Sequence, residues 1–507
     1  MNKFKVLLIF PNDYLLGVPP SNIAALAAYL KRDGFDVKLF DTTIYRIKKQ
    51  TAEWDIKVKL GHVLKTNIND YIHPLETDIY EDFVKLVDEY KPDLIGINVI
   101  DSTIRYALSF IEKIKNKNIP VIVGGIGSTY HYEKILDTGL VQYACVGEGE
   151  KALSELCAKL SNDEDCTNIQ NIYTKDESGN VIKNPLRPLV DINTLPVPDF
   201  TIYEDWRFFK PFKTGVFRMI PVDIDRGCPH LCTYCCTPTL RKRFKQDNCG
   251  NYYRLKDLDK VFEEMKYLLN KYDGNFVYMG CETFLAGSVE RIREFARRYI
   301  KEIHLPFWTS SRLDTFTEEK TRLLSEMGCQ SISVGLEHGS EKIRNDLLNK
   351  KLTNQTVIDG FKMLAKYNIH PTINNMIGLP GETREDAFET FKMNKEVSKI
   401  LKGNHNLNFF IFMPFYGTPL RDVCISKNYI QDVDEIPTSL FGGSVLTMPP
   451  PCLSKEEILG LQKTSALYIG LPESFYPDIR IAERDDDEGN VMFEKLMEIL
   501  KSQKLPH

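Results

Sequence analysis

Residues 226–236 read RGCPHLCTYCC and place Cys228, Cys232 and Cys235 at the spacing C-x3-C-x2-C. The stretch follows a β-like run at 220–225, so the pattern predicts three thiols on one loop at the end of a strand. Each of three such thiolates can bind one iron of a four-iron cluster, which leaves the fourth iron open to an outside ligand. A structural zinc would need a fourth protein ligand, such as the nearby histidine or a distant cysteine. Three unrelated buried cysteines are the third interpretation.

The run at 220–225 is the first of six strand-like runs that alternate with helical stretches. The other five strands are predicted at 276–279, 306–309, 331–336, 372–377 and 409–413. Helical spacing of apolar residues predicts the intervening helices at 258–271, 289–300, 318–327, 356–367 and 384–401. Six βα units fall short of the eight that close a barrel. This part of the chain is therefore expected to fold as a partial (βα)6 TIM barrel with its active site at the carboxyl ends of the strands.

The first 150 residues also alternate strands with helices. Strand-like runs at 6–10, 37–40, 94–99, 121–123 and 143–146 alternate with helical stretches at 21–32, 80–90, 103–115 and 150–160. This order is typical of a doubly wound, Rossmann-like parallel sheet, which binds ligands at the carboxyl ends of its strands. Small and polar residues follow three of the predicted strands: Asp101, Ser102, Thr103, Gly124, Gly125, Gly147, Glu148 and Gly149.

Weaker patterns divide the rest of the chain. A β-hairpin with the turn Ser178-Gly179-Asn180 is predicted within 168–198, followed by a Pro-rich linker, LPVPDF. The basic run RKRFK at 241–245 is interpreted as a solvated loop. We expect helices near the C-terminus. The chain is predicted to have four parts: an α/β domain, a hairpin with linker, the barrel, and a small, mostly helical C-terminal segment. Their predicted bounds are 1–165, 166–210, 211–430 and 431–507.

The composition narrows the classes of function. The chain has 507 residues, and its 65 Lys and Arg against 70 Asp and Glu give a net charge of −5, which disfavours nucleic acid as the main partner. No apolar run reaches the roughly 18 residues of a membrane span, and the run at 6–10 is too short for a signal peptide. A cytoplasmic protein without a transmembrane segment is therefore expected. Twelve cysteines are too few for a disulfide scaffold, so the clustered thiols indicate metal or redox chemistry.

The cysteine loop, with Tyr234 directly before the third cysteine of the motif, resembles the radical S-adenosylmethionine (SAM) superfamily. Three later segments resemble segments that recur in one large branch of that superfamily. They are GLEHGSEKIR at 335–344, NMIGLPGET at 375–383 and MPFYGTPLRD at 413–422.

That branch carries an N-terminal cobalamin-binding domain, which residues 1–150 resemble. The similar features are the spacing of prolines and apolar residues over 11–30, the pair of glycines at 124–125 and the segment VGEGEKAL at 146–153. The resemblance spans roughly residues 4–425, which is most of the chain.

The resemblance implies three cofactors: a four-iron four-sulfur (4Fe-4S) cluster on Cys228, Cys232 and Cys235, SAM on its open iron, and cobalamin. In this family, one electron from the cluster cleaves SAM to a 5'-deoxyadenosyl radical. The chain lacks the D-x-H-x-x-G motif and has no histidine before His62, so cobalamin would be bound without a protein His ligand. The residues implied at the cobalamin site are Ser102, Thr103, Gly124, Gly125, Gly147, Glu148 and Gly149. Those implied at the SAM site are Glu282, Arg312, Glu337, Ser340, Ile377 and Gly378.

Several of these residues also have a purely structural interpretation. Ser340 could cap a helix. Arg312 suits the SAM carboxylate, because a guanidinium pairs with a carboxylate through two hydrogen bonds, but it could equally form a surface salt bridge. Ile377 and Gly378 could contact adenine through their backbone, or simply end a strand and begin a turn.

The resemblance favours a cobalamin-dependent methyltransferase that acts on an unactivated carbon. One alternative is a radical SAM cyclase, oxidase or rearrangement enzyme that does not use methylcobalamin. Another is a non-catalytic cobalamin or redox sensor, which would not need the SAM-facing segments. Methylthiolation of tRNA is disfavoured because the N-terminal domain lacks a second set of three cluster-competent cysteines. The implied partners are a small-molecule, lipid or peptide substrate and a low-potential electron donor such as flavodoxin or ferredoxin.

Overall fold

The structure is a computed structural model, and it describes residues 3–46, 52–63, 65–68, 70–213, 215–431, 436–437 and 441–503. Two seven-stranded sheets organise these residues, an N-terminal sheet and a second sheet curled into a half-barrel. Helices form the C-terminal segment. The expected fold class is confirmed.

The N-terminal sheet is parallel over five of its seven strands. The strands are β1 Lys5–Phe10, β2 Asp36–Asp41, β3 Leu94–Asn98, β4 Val121–Gly124, β5 Tyr143–Cys145, β6 Ile172–Lys175 and β7 Val181–Lys183. Their order is β2-β1-β3-β4-β5-β6-β7, and only the last two pairings are antiparallel. The central strands are apolar throughout because helices cover both faces of a parallel sheet. The predicted hairpin is therefore present, and it extends this sheet at its edge.

Six helices accompany the N-terminal sheet. They are α1 Ser21–Arg32, α2 Glu53–Lys59, α3 Ile79–Tyr90, α4 Ile104–Ile114, α5 Ile126–Asp137 and α6 Glu150–Ser161. The sequence did not predict α5, because its buried face includes Ser128, Thr129 and His131 and so lacks a clear apolar stripe. It also did not predict α2, which buries none of its residues.

The half-barrel contains six parallel strands and one antiparallel edge strand. Its strands and the ribbon beside it are β8 Phe209–Phe212, β9 Gly215–Asp223, β10 Asp225–Arg226, β11 Arg254–Leu255, β12 Phe276–Gly280, β13 Phe307–Ser311, β14 Cys329–Glu337, β15 His370–Ile377 and β16 Asn406–Ile411. The sheet order is β16-β15-β14-β13-β12-β9-β8, and β10 pairs with β11 as a separate two-stranded ribbon. The six predicted barrel strands all form, although the first ends before a bend and continues as β10.

The helices of the half-barrel are α7 Thr237–Gln246, α8 Leu258–Lys271, α9 Val289–Glu302, α10 Glu318–Glu326, α11 Asn354–Lys366, α12 Arg384–Ile400 and α13 Pro419–Ser426. The interpretation of 241–245 as a solvated loop is wrong, because this basic run lies within α7. Leu240 and Phe244, four residues apart, are buried and anchor the helix while the charged side chains surround them.

Three further helices form the C-terminal segment, α14 Lys455–Gly470, α15 Tyr476–Ala482 and α16 Asp487–Gln503. Ser454 and Glu457 form a capping box at the start of α14. Gln462 of α14 donates to the backbone oxygen of Phe409 at 2.7 Å, which joins this segment to β16. Among the helices described, none combines the length and apolar character needed to cross a membrane.

One continuous hydrophobic core joins the two sheets. It contains Val6 and Leu8 of β1 together with Ile220 and Val222 of β9, all less than 5% exposed. The N-terminal sheet therefore packs on the half-barrel, and residues at the carboxyl ends of strands from both sheets line one cavity.

Candidate functional site

A cavity of about 620 Å³ lies between the carboxyl edge of the N-terminal sheet and the mouth of the half-barrel. Residues of both sheets line it, including Leu8, Gly96 and Ile122 on one side and Tyr278, Glu282 and Trp308 on the other. Six of the residues predicted to contact cofactors line it: Gly124, Gly125, Gly147, Glu148, Gly149 and Glu282. The structure thus brings the predicted cobalamin loops and one predicted SAM contact to a single cavity.

The wall formed by the N-terminal sheet is mostly glycine and aliphatic. A Cβ atom built on Gly96, inside β3, would lie 3.1 Å from Cδ2 of Leu8, so a larger side chain here would intrude between the strands. Gly125 has a φ of +92°, and its Cβ would lie 2.5 Å from the backbone oxygen of Val99. These two glycines therefore allow close packing at this wall, and they leave their positions without side chains.

The half-barrel wall carries aromatic and acidic side chains. Tyr278 and Trp308 stack with ring centroids 4.4 Å apart and an interplanar angle of 14°. Burial, together with the nearby carboxyl groups of Glu282 and Asp223, raises the pKa of Asp225 to about 8. Desolvation inside the cleft also raises the pKa of Glu282, although its side chain is open to the cavity. The carboxyl groups of Asp223, Asp225 and Glu282 in this wall thus all have raised pKa values, so their charged forms are disfavoured.

The cysteine loop lies directly behind the half-barrel wall. Gly227, which lines the cavity, precedes Cys228, and the Sγ of Cys228 lies 3.8 Å from Oγ1 of Thr283, the residue after Glu282. Cys232 is 8% exposed, and the guanidinium of Arg312 donates to its Sγ at 3.2 Å. A hydrogen bond from Cys236 lowers the pKa of Cys235.

Arg312 is oriented by protein groups on its other side. It makes two hydrogen bonds to the carboxylate of Asp314, at 3.0 and 2.9 Å, and one to the backbone oxygen of Lys350 at 2.5 Å. Its placement beside Cys232 puts a positive charge next to the thiol of one predicted cluster ligand. Its predicted contact with SAM stays a prediction, since Arg312 lies outside the residues that line the cavity.

Glu337 ends β14 in a left-handed conformation with a φ of +67°. Its Oε1 accepts hydrogen bonds from Lys350 Nζ at 2.8 Å and from the hydroxyl of Tyr234 at 3.0 Å. Lys350 is 3% exposed, so this is a buried ion pair that ties the cysteine loop to β14. The sequence analysis identified Glu337 and Tyr234 but missed Lys350, which no local motif marks.

The remaining predicted SAM contacts lie around a second buried pair. His338 Nε2 lies 3.1 Å from Oε1 of Glu382, whose Oε2 accepts from the backbone nitrogen of Gly378 at 2.6 Å. The backbone nitrogen of Ser340 lies 3.0 Å from Nδ1 of His338. Ile377 is 2% exposed at the end of β15. These residues lie together at the ends of β14 and β15, and their contact with SAM stays a prediction.

Ser102 and Thr103 lie apart from the cavity lining. Thr103 Oγ1 accepts from the backbone nitrogen of Ile100 at 3.1 Å, so this hydroxyl orders the turn before α4. Beside it, Asp101 accepts from the backbone nitrogen of Tyr416 at 2.7 Å and forms a pair with His131 at 3.2 Å. The chain after β3 therefore contacts the segment after β16 in the described structure.

The cysteine loop is suited to a cluster. Among the residues that the structure describes, no group of three or more His, Cys, Asp or Glu side chains is gathered so that it could hold one metal ion. A 4Fe-4S cluster does not need such convergence, because each cysteine binds a different iron. The buried Arg312 beside Cys232 and the lowered pKa of Cys235 suit thiolate ligands.

The cavity lining carries groups suited to both organic cofactors. The glycine-lined edge of the N-terminal sheet can accommodate a corrinoid, and none of the described residues that line the cavity is a histidine that could bind cobalt. Glu282, Asp223 and Asp225 line the same cavity, and the contact of Glu282 with SAM stays a prediction.

Comparisons with known proteins match both halves of the chain. A family model described as the radical SAM superfamily matches residues 223–393, and a model described as the B12 binding domain matches residues 14–157. A methyltransferase of Pyrococcus horikoshii, itself uncharacterised, is 26% identical over 355 residues, which is 69% of this chain and 73% of that protein. An anaerobic magnesium-protoporphyrin IX monomethyl ester cyclase of Rubrivivax gelatinosus is 25% identical over 410 residues, which is 77% of this chain and 66% of the cyclase.

A solved structure shows the same fold. The radical SAM methyltransferase TsrM of Kitasatospora setae, with cobalamin and a 4Fe-4S cluster bound, aligns with a TM-score of 0.63 at 16% identity and covers 100% of both chains.

Proposed function

The chain belongs to the radical SAM enzymes that carry a B12-binding domain and use a 4Fe-4S cluster, SAM and cobalamin, and we propose that it transfers a methyl group to an unactivated carbon. The observation that carries this proposal is the single cavity lined by both cofactor-binding parts of the chain. A methyl carrier and a radical source must both reach one substrate carbon, and a shared cavity permits this.

When bound, the cluster supplies the electron that cleaves SAM, and cobalamin supplies the methyl group. The protein holds these groups in place. Cys228, Cys232 and Cys235 fix the cluster, and Arg312 keeps positive charge beside Cys232. The glycine-lined strand ends receive the corrinoid by shape.

The half-barrel wall positions the substrate side of the cavity. The stacked rings of Tyr278 and Trp308 present an apolar surface that excludes water from a reactive radical. With a pKa raised to about 8, Asp225 keeps a proton on its carboxyl group at neutral pH and can both donate and accept a hydrogen bond there.

The proposal is tested by following the methyl group of SAM. Enzyme reconstituted anaerobically with iron, sulfide and hydroxocobalamin is reduced and incubated with SAM carrying a deuterated methyl group. We expect S-adenosylhomocysteine and deuterated methylcobalamin in amounts equal to the bound cobalt, even before a substrate is known. Reconstituted enzyme that cleaves SAM to 5'-deoxyadenosine but never yields S-adenosylhomocysteine would contradict methyl transfer.

A radical cyclisation is the second candidate, because a relative that matches 77% of this chain is a cyclase. This reaction would give 5'-deoxyadenosine without S-adenosylhomocysteine, so the same experiment separates the two. For either reaction we propose a low-potential electron donor of the flavodoxin or ferredoxin kind and a small-molecule, lipid or peptide substrate.

A further inference from the structure

Two loops from different sheets face each other across the cavity. Residues 147–150 follow β5 of the N-terminal sheet, and residues 225–227 lead directly into the cysteine loop. Both loops line the cavity. The first lies at the predicted cobalamin site and the second immediately precedes the first cluster cysteine, Cys228.

Ion pairs join these two loops. Arg226 donates to Glu150 Oε1 at 2.5 Å and to Glu148 Oε1 at 3.3 Å. Glu148 also receives two hydrogen bonds from Arg254 of β11, one of them at 3.2 Å to Oε2. All four side chains are at most 25% exposed. The carboxylate of Glu148 is thus directed at the cysteine-loop side of the molecule.

Ring contacts also connect the two loops. The ring of Phe244 in α7 lies against Gly147, where a Cβ atom would approach its Cζ to 3.3 Å. Phe244 stacks on Tyr252 with centroids 5.8 Å apart and an interplanar angle of 12°. Tyr252 in turn lies against Gly227, where a Cβ would come within 2.5 Å of its backbone oxygen. Residue 227 therefore leaves no room for any side chain.

We propose that the ion pairs and ring contacts between residues 147–150 and 225–227 couple the two cofactor sites. Cobalamin bound at the N-terminal sheet then tightens SAM binding at the cysteine loop, and SAM tightens cobalamin binding. Glu148 acts as a positioning residue for the cysteine loop, through Arg226 and Arg254. Because the ion pairs and rings hold the two loops together, a ligand that favours one position of either loop also favours the matching position of its partner, and the second ligand then meets that position. The coupling must be reciprocal because it is a difference of binding free energies.

This inference goes beyond the proposed reaction, because it concerns binding and does not depend on whether methyl transfer or cyclisation follows. Its test therefore needs no turnover. The dissociation constant of SAM is measured by anaerobic equilibrium dialysis on cluster-loaded enzyme, with and without saturating hydroxocobalamin. We expect cobalamin to tighten SAM binding by about fivefold to tenfold in the unaltered protein.

Arg254 provides the sharpest variant because it lies outside the residues that line the cavity. In Arg254→Met the ratio of the two dissociation constants should fall to about one, while Arg254→Lys, which keeps one charge, should give an intermediate ratio. Glu148→Gln should also lose the coupling. Glu155→Gln is the matched control, since Glu155 pairs at 2.9 Å with Arg187 and with neither loop.

A second readout reports on the cluster itself. Cobalamin should alter the electron paramagnetic resonance spectrum of the reduced cluster in the unaltered protein and in Glu155→Gln, but not in Arg254→Met. A ratio of one in the unaltered protein, or an unchanged ratio in Arg254→Met, would overturn the proposal. A third result would also overturn it. If Glu148→Gln weakened cobalamin binding by the same factor with and without SAM, Glu148 would be a direct contact of the corrinoid.

Discussion

The two walls of the cavity are built on different principles. The wall from the N-terminal sheet is glycine, aliphatic carbon and backbone, and its two acidic residues, Glu148 and Glu150, are paired with Arg226. The wall from the half-barrel carries stacked aromatic rings and three carboxyl groups with raised pKa values, and the cysteine loop lies behind it. Under the proposed function, the first wall is expected to recognise its ligand by shape and the second to provide the chemical groups. Substitutions in the two walls should therefore fail in different ways.

The largest effect is expected from Cys232→Ala. The loss of one of three cluster ligands should reduce iron from about four atoms per chain towards zero and abolish the formation of 5'-deoxyadenosine. Iron analysis and product chromatography measure both. Cys157→Ala, at a fully buried cysteine of helix α6, is the control and should keep its iron. Undiminished SAM cleavage by Cys232→Ala would disprove the cluster assignment.

Gly96→Val tests the opposite wall. The new side chain would enter the space beside Leu8, so hydroxocobalamin should bind at least about tenfold more weakly, a cost of about 1.4 kcal/mol, while iron content stays unchanged. Absorbance titration and iron analysis give the two numbers. Gly287→Ala, where a Cβ would meet no heavy atom closer than 3.5 Å, serves as the control. If Gly96→Val lost iron as well as cobalamin, the two walls would not be independent, because a change in one would then weaken cofactor binding at the other.

Lys350→Met addresses the stability of the half-barrel side. Removal of the lysine leaves Glu337 as a buried charge without its ion-pair partner, which should lower the free energy of unfolding by about 3–5 kcal/mol. Urea unfolding of the cluster-free protein measures this. The double variant Lys350→Met/Glu337→Leu should recover much of the loss, and a double variant as unstable as the single one would contradict the ion-pair explanation.

Much of the fold could be predicted because the signals are local. The apolar runs that became β1 and β3, and the C-x3-C-x2-C spacing, are contained in short stretches of sequence. The pairing of Glu148 with Arg226 and Arg254 joins residues 78 and 106 positions apart, and no periodicity records it. The stack of Tyr278 on Trp308 likewise joins residues of two different strands, β12 and β13. Helix α7 was not predicted, because Leu240 and Phe244 are the only two residues of its apolar face and charged residues surround them in the sequence.

Asp225→Asn tests the titration of the half-barrel wall. Because folding raises the pKa of this carboxyl group to about 8 from 3.8, the folded protein holds a proton that the unfolded chain releases between those values. Rising pH should therefore lower stability across this window, by at most about 1.4 kcal/mol per pH unit. Urea unfolding at pH 5.5 to 8 should show a shallower decline in Asp225→Asn, and equal slopes would contradict the raised pKa.

We propose that one cavity lies between two walls, each of which binds a cofactor. The metal content per chain tests this most directly. After anaerobic reconstitution with iron, sulfide and hydroxocobalamin, and removal of the unbound excess, we predict about four irons and one cobalt per chain. Iron without cobalt would contradict the claim, because the N-terminal sheet would then have the fold of a cobalamin-binding domain without its cofactor.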